Sequence, residues 1–167
     1  MKFPWQSRSN ERSGERGQAL AVFAGGLVAL LIATGFVLDG GIVFVARRDA
    51  QNSADMGALA GTRVVAEYYK GASVNGADVF AAIDKAVEDN GCTVSGDSCD
   101  WTADYVRPTT GYQTAVVGTV SNSGDIPSTA QGVSVFVDRE PGTNFLRIIG
   151  QDDWDVGADA TAITARI

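Results

Sequence analysis

The sequence has no histidine, only two cysteines and only four prolines among 167 residues. Without histidine, the side chain that most often serves as general base and as zinc ligand is missing. There is no Gly-x-Ser-x-Gly elbow and no Gly-x-x-x-x-Gly-Lys phosphate loop. The usual carriers of nucleophilic and nucleotide chemistry are therefore absent, and no catalytic residue, cofactor or metal ligand is expected. Two cysteines with no further thiol or imidazole cannot close a tetrahedral metal site. Cys92 and Cys99 stand seven apart in CTVSGDSC. A disulfide across this short loop is the favoured reading, two unpaired thiols the alternative. Loop closure would contribute about 2.5 kcal/mol, and the bond would place the region outside the reducing cytoplasm. Basic residues are also scarce past residue 48: residues 49–167 carry 17 acidic and 7 basic side chains, a net of −10, against +3 for the first 48. Such an acidic body repels nucleic-acid phosphates, so no nucleic-acid partner is expected.

What is abundant is apolar sequence near the start. Ala19 to Ala46 contains a single charge, Asp39, and Ala19 to Leu38 gives twenty uncharged residues. That length crosses a hydrocarbon core of roughly 30 Å as a helix, the form in which a single segment satisfies its own backbone polar groups. The core helix of a soluble protein is the bland alternative. Ala33-Thr34-Gly35 has the small residues of a signal-peptidase site, but the apolar run continues past it as a signal anchor would. Residues 1–17 form a polar tail with Lys2, Arg8, Arg12 and Arg16, which favours a cytoplasmic N-terminus, although Arg47 and Arg48 follow the span. The expected organisation is a tail at 1–17, a transmembrane helix at 18–46, its extracytoplasmic continuation at 47–70 and a globular domain at 71–167. Asp39, Arg47 and Arg48 mark the membrane boundary. Asp39 is expected to meet water at the helix end, or else to contact a basic partner.

Small residues recur every fourth position at Ala21, Gly25, Ala29 and Ala33, and again at Ala50, Ala54 and Ala58, with Gly57 and Gly61 beside them. Lipid gives helices no hydrophobic reason to associate, so close packing over small residues must supply it. No proline interrupts Arg47 to Tyr69, and one helix from about Gln18 to Lys70 is predicted, roughly 75 Å long. Its outer half must cover its small-residue face with the chain's own domain or with neighbouring subunits.

The order of these features carries a resemblance. Gly17-Gln18, the apolar span, Asp39-Gly40-Gly41, the step from Arg47-Arg48 through Gln51 to Ala54-Asp55, and the Ala-rich Met56 to Ala60 together resemble the N-terminal region of TadE/TadG-like proteins of the bacterial Tad (Flp-type) pilus-assembly machinery. The resemblance implies a pilin-like or pseudopilin-like protein of the bacterial cytoplasmic membrane. Its partners would be the lipid bilayer, other pilins or pseudopilins and Tad assembly proteins. Tad-class prepilins place Glu five residues after the cleaved glycine, followed by Phe or Tyr; counted from Gly17, the positions here are Val22 and Phe23. Gly17 and Gln18 are thus a candidate processing site that lacks its glutamate. The Asp-x-Ser-x-Ser metal pattern of forms carrying a von Willebrand A domain is absent.

Beyond the helix, Ala77 to Asn90 has the apolar spacing of a second helix. Strands are predicted at 100–107, 113–120, 133–138 and 156–166, and a short helix at Thr143 to Gly150 that tucks Phe145, Leu146, Ile148 and Ile149 inward. The fold class is α+β: a long N-terminal helix packed on a small domain with a second helix and an antiparallel sheet. The acidic groups Asp97, Asp100, Asp104 and Asp152, Asp153, Asp155 read as solvated faces, and Trp101, Tyr105, Tyr112 and Trp154 as core or edge packing. The expected function is assembly of a Tad-type pilus by helix packing, with a single-pass anchored envelope-binding domain as the alternative.

Overall fold

The computed structural model describes residues 12–92, 99–111 and 113–164, without side chains for residues 12–16 and 149. The first helix, α1, is one continuous element from Arg12 to Tyr69, 58 residues long, so it starts six residues before the predicted Gln18. At 1.5 Å per residue it extends for roughly 87 Å. A second helix, α2, covers Gly76–Asp89. Asn75 caps it: its side-chain oxygen accepts from the amides of Ala77 (2.8 Å) and Asp78 (3.3 Å), while the Asp78 carboxylate accepts from the Asn75 amide at 2.8 Å. This reciprocal capping box satisfies donors that a helix start leaves open.

Four strands follow, β1 (Cys99–Pro108), β2 (Thr114–Thr119), β3 (Gly132–Arg139) and β4 (Val156–Ile163). They form an antiparallel sheet in the order β2-β1-β3-β4. The α+β architecture is therefore as expected from the sequence, and the disulfide Cys92–Cys99 ties the end of α2 to the start of β1. A 3₁₀ turn, Leu146–Ile149, lies in the connection from β3 to β4.

The core lies between α1, α2 and one face of the sheet. Alternation on β3 puts Val133, Val135 and Val137 inside, while β4 contributes Val156, Ala158 and Ala160. Val79, Ile83 and Val87 come from α2, and Ala50, Ala54, Ala58 and Val65 from α1. Trp101 packs on α2, its ring 4.9 Å from that of Phe80 and its indole N–H donating to Asp84 at 3.3 Å. Tyr105 is buried in the core, and burial pushes its phenol above the ordinary range.

Polar side chains stitch α1 to the domain along its length. Gln51 donates to the Asp159 carbonyl at 3.3 Å and Ser53 to the Asn90 carbonyl at 3.1 Å. Thr62 donates to the Ala162 carbonyl and accepts from the Val133 amide, both at 3.0 Å. The Tyr69 hydroxyl reaches the carbonyls of Ser128 and Ala130. β4 therefore climbs beside α1, and the connection from β3 to β4 hangs at the end of the sheet facing the apolar half of the helix.

Gly57 and Gly61 make the helix contact close. A methyl group at Gly61 would come within 2.8 Å of Ile83, and one at Gly57 within 2.9 Å of Val87. Replacing Gly61 with Leu is expected to destabilise the domain by about 1–3 kcal/mol through overpacking. Chemical denaturation followed by Trp101 fluorescence would measure this; an unchanged midpoint would mean that α2 shifts without penalty.

Candidate functional site

The small-residue positions on α1 divide into two groups. Ala50, Ala54, Gly57, Ala58 and Gly61 are buried under the chain's own α2 and sheet. Ala21, Gly25, Ala29 and Ala33 are exposed, and a methyl group on Gly25 would touch nothing. The most apolar stretch of α1, of mean hydropathy 2.4, is only 6% buried by the rest of the chain. The core helix of a soluble domain would be mostly covered by its own chain, and this stretch is not. Among residues 17–34 none is buried; Gly35 is the first.

Gly35 opens the junction between the apolar helix and the domain. A methyl group there would lie 2.7 Å from the Cβ of Phe145, so the turn from β3 to β4 rests directly on the helix. One turn further along α1, Asp39 is 1% exposed. Its carboxylate accepts hydrogen bonds from the amides of Asn144 (3.0 Å), Phe145 (3.0 Å) and Leu146 (2.7 Å), at the start of the 3₁₀ turn. Those are the donors that a helical turn leaves without internal partners, and here no local side chain caps them. An anion in that place meets converging N–H dipoles. Asp39 therefore neither ends in water nor meets a basic side chain, the two expectations raised by its sequence context. A lone acid inside an apolar run did signal a specific contact, but backbone donors leave no mark in sequence.

The inward packing expected for the short helix is also corrected. Leu146 is buried, but Phe145 is 42% and Ile148 82% exposed, and the Ile149 side chain lies outside the described residues. Four residues in a 3₁₀ turn complete little more than one turn, so only one apolar side chain can face the core.

The remaining positions play separate parts. Gly17 and Gln18 are exposed and helical, and Arg47 and Arg48 are exposed two turns beyond Asp39. Asp152 pairs with Arg147 at 3.3 Å. Asp97 and Tyr112 lie outside the described residues. Among the described residues, no group of three or more His, Cys, Asp or Glu side chains is placed to hold a metal.

Comparison with known families agrees with the resemblance. Residues 17–74 match the family model Tad, described as "Putative Flp pilus-assembly TadE/G-like". The matched segment is α1 from Gly17 onward together with the turn that leads to α2, and it includes Gly35 and Asp39. No curated protein and no solved structure matches the chain significantly.

Asp39→Ala is expected to release the 3₁₀ turn and leave the sheet intact. Amide exchange at Asn144, Phe145 and Leu146 should accelerate by roughly tenfold or more, while the β3 amides keep their protection. Uniform acceleration across the domain would instead make Asp39 a global stability determinant.

Proposed function

We propose that this chain is a membrane-anchored, pilin-like component of a Tad-type (Flp) pilus-assembly system, acting through helix packing without bond chemistry. The observation that carries this reading is an apolar half of α1, uncovered by its own domain, inside a segment that matches the TadE/G-like family. In this reading α1 crosses the bilayer from about Gln18 to Leu38, roughly 30 Å. The N-terminus is cytoplasmic, and the domain with its disulfide lies outside. The part between Asp39 and Ala46 then stands beside the domain, above the hydrocarbon.

The fold restricts where neighbouring helices could dock. A stripe running unbroken from Ala21 through Ala58 is not available, because the domain occupies its outer portion. The open part is Ala21, Gly25, Ala29 and Ala33, within the span. Above it, the face of α1 turned from the domain offers Phe44, Val45, Met56 and Leu59, all exposed. Subunits would thus meet over small residues in the membrane and over larger ones outside it.

Replacing Gly25 and Ala29 with Leu should abolish pilus assembly without touching the folded domain, since neither residue contacts it. Assembly at the parental level, scored by pili on cells, would show that this stripe is not the interface. Intact mass and N-terminal sequencing of protein from native envelopes address processing. A start at Gln18 makes the chain a processed pilin or pseudopilin despite Val22, and an unprocessed start makes it a permanent anchor.

A further inference from the structure

The connection from β3 to β4 exposes an apolar surface for which the domain itself has no use. Ile148 is 82% exposed, and Phe145 and Trp154 are each 42% exposed. Beside Trp154 lies an open crevice of about 440 Å³, lined by Phe36 of α1 and by Leu146, Gln151, Asp153, Trp154 and Asp155. Isoleucine and phenylalanine are among the residues most often buried, and a cluster of them in water is unusual for a small domain.

The surface also has a fixed height. Gly35 and Asp39 lock the 3₁₀ turn onto α1 at the last turn of the apolar run that ends at Leu38. Counted from Ala19, that level lies roughly 30 Å along the helix, where a span starting there leaves the hydrocarbon. Phe36 of α1, itself exposed, lines the same crevice as Trp154, so the patch adjoins the apolar half of the helix.

Its backbone suits a low-dielectric setting. The Thr143 amide donates to the Asp152 carbonyl, and those of Asn144, Phe145 and Leu146 donate to Asp39. The amides of Ile148, Gly150, Gln151 and Trp154 donate to carbonyls of Phe145, Arg147, Leu146 and Pro141. Segments near hydrocarbon must satisfy their donors internally, and this one largely does. Trp154 is the residue type that settles at the headgroup level, with an apolar ring and a polar N–H.

We propose that the 3₁₀ turn and Trp154 form a second membrane contact, an interfacial foot resting on the bilayer surface beside the spanning helix. The inference rests on the reading that α1 crosses the membrane. With two attachments, α1 and the foot, the domain is held at one height and one rotation about the helix axis. That orientation directs the Phe44, Val45, Met56 and Leu59 face away from the foot toward incoming subunits.

The test uses the full chain, disulfide intact, in phosphatidylcholine vesicles. Neutral lipid is chosen because Asp152, Asp153 and Asp155 would be repelled by an anionic surface. Trp5→Phe with Trp101→Phe leaves Trp154 as the reporter. Leu30→Trp, near the middle of the 19–38 span, in a background with all three native tryptophans replaced by Phe, reports the span. Lipids brominated near the headgroup should reduce Trp154 emission by roughly half, with lipids brominated near the chain ends having less effect, as expected for an interfacial tryptophan. The span reporter should show the reverse order, and Ile148→Asp should restore most of the Trp154 emission. Quenching of the span reporter alone overturns the foot and leaves the span standing; quenching of neither overturns both. A Trp154 emission that shifts on self-association in detergent, with no bromine quenching, would assign the patch to a second copy and overturn the lipid contact.

Discussion

Close approach between α1 and the rest of the chain is the constraint on which the structure depends. A sheet built from valine and alanine has little bulk to offer a helix, so the helix must come to it. Ala50, Ala54, Gly57, Ala58 and Gly61 permit that by presenting almost no side chain, and Ile83, Val87, Val133 and Val135 fill the space left over. Larger residues on that face would push α2 and β3 outward and open voids that a domain of this size could not tolerate. The same requirement explains why hydrogen bonds along the seam run from α1 side chains to backbone carbonyls: at this distance Gln51, Ser53, Thr62 and Tyr69 reach strand and loop backbones directly.

At the lower end of the seam the chemistry changes from packing to charge. Asp39 gathers the amides of Asn144, Phe145 and Leu146, and so fixes a turn that apolar burial alone would not hold, since Leu146 is its one well-buried side chain among those described. A carboxylate withdrawn from water needs such partners, and a helical turn without a local cap needs an acceptor. Each supplies what the other lacks. The contact couples the level of the domain to the register of α1, so neither can shift along the helix axis without the other.

The two halves of α1 consequently have different duties. Its outer half is a structural wall of the domain, closed on one face and open on the other. Its N-terminal half is exposed throughout residues 17–34. The TadE/G-like match, residues 17–74, spans both halves.

Much of this was legible in the sequence because it is encoded locally. The length and continuity of α1, the second helix and the four strands followed from apolar period, turn residues and the absence of proline, and the observed boundaries of α2 and β1 to β3 fall within one or two residues of those expected. The Asn75 cap of α2 was not among those readings. The Cys92–Cys99 loop was likewise a short-range reading. Other features depend on parts of the chain that meet only in the folded state. The sequence marked a small-residue face on α1, but not that the chain's own domain takes its outer portion. It marked Asp39 as exceptional, but its partners are backbone amides some 105 to 107 positions away, and every residue but proline carries such a donor. It placed apolar residues in the turn after β3, but which of them face outward follows from the geometry of a 3₁₀ turn pinned at its start. Local periodicity determined the elements; the pairing of generic backbone groups and the competition for one helix face were decided only by the tertiary structure, because neither depends on which neighbours a residue has along the chain.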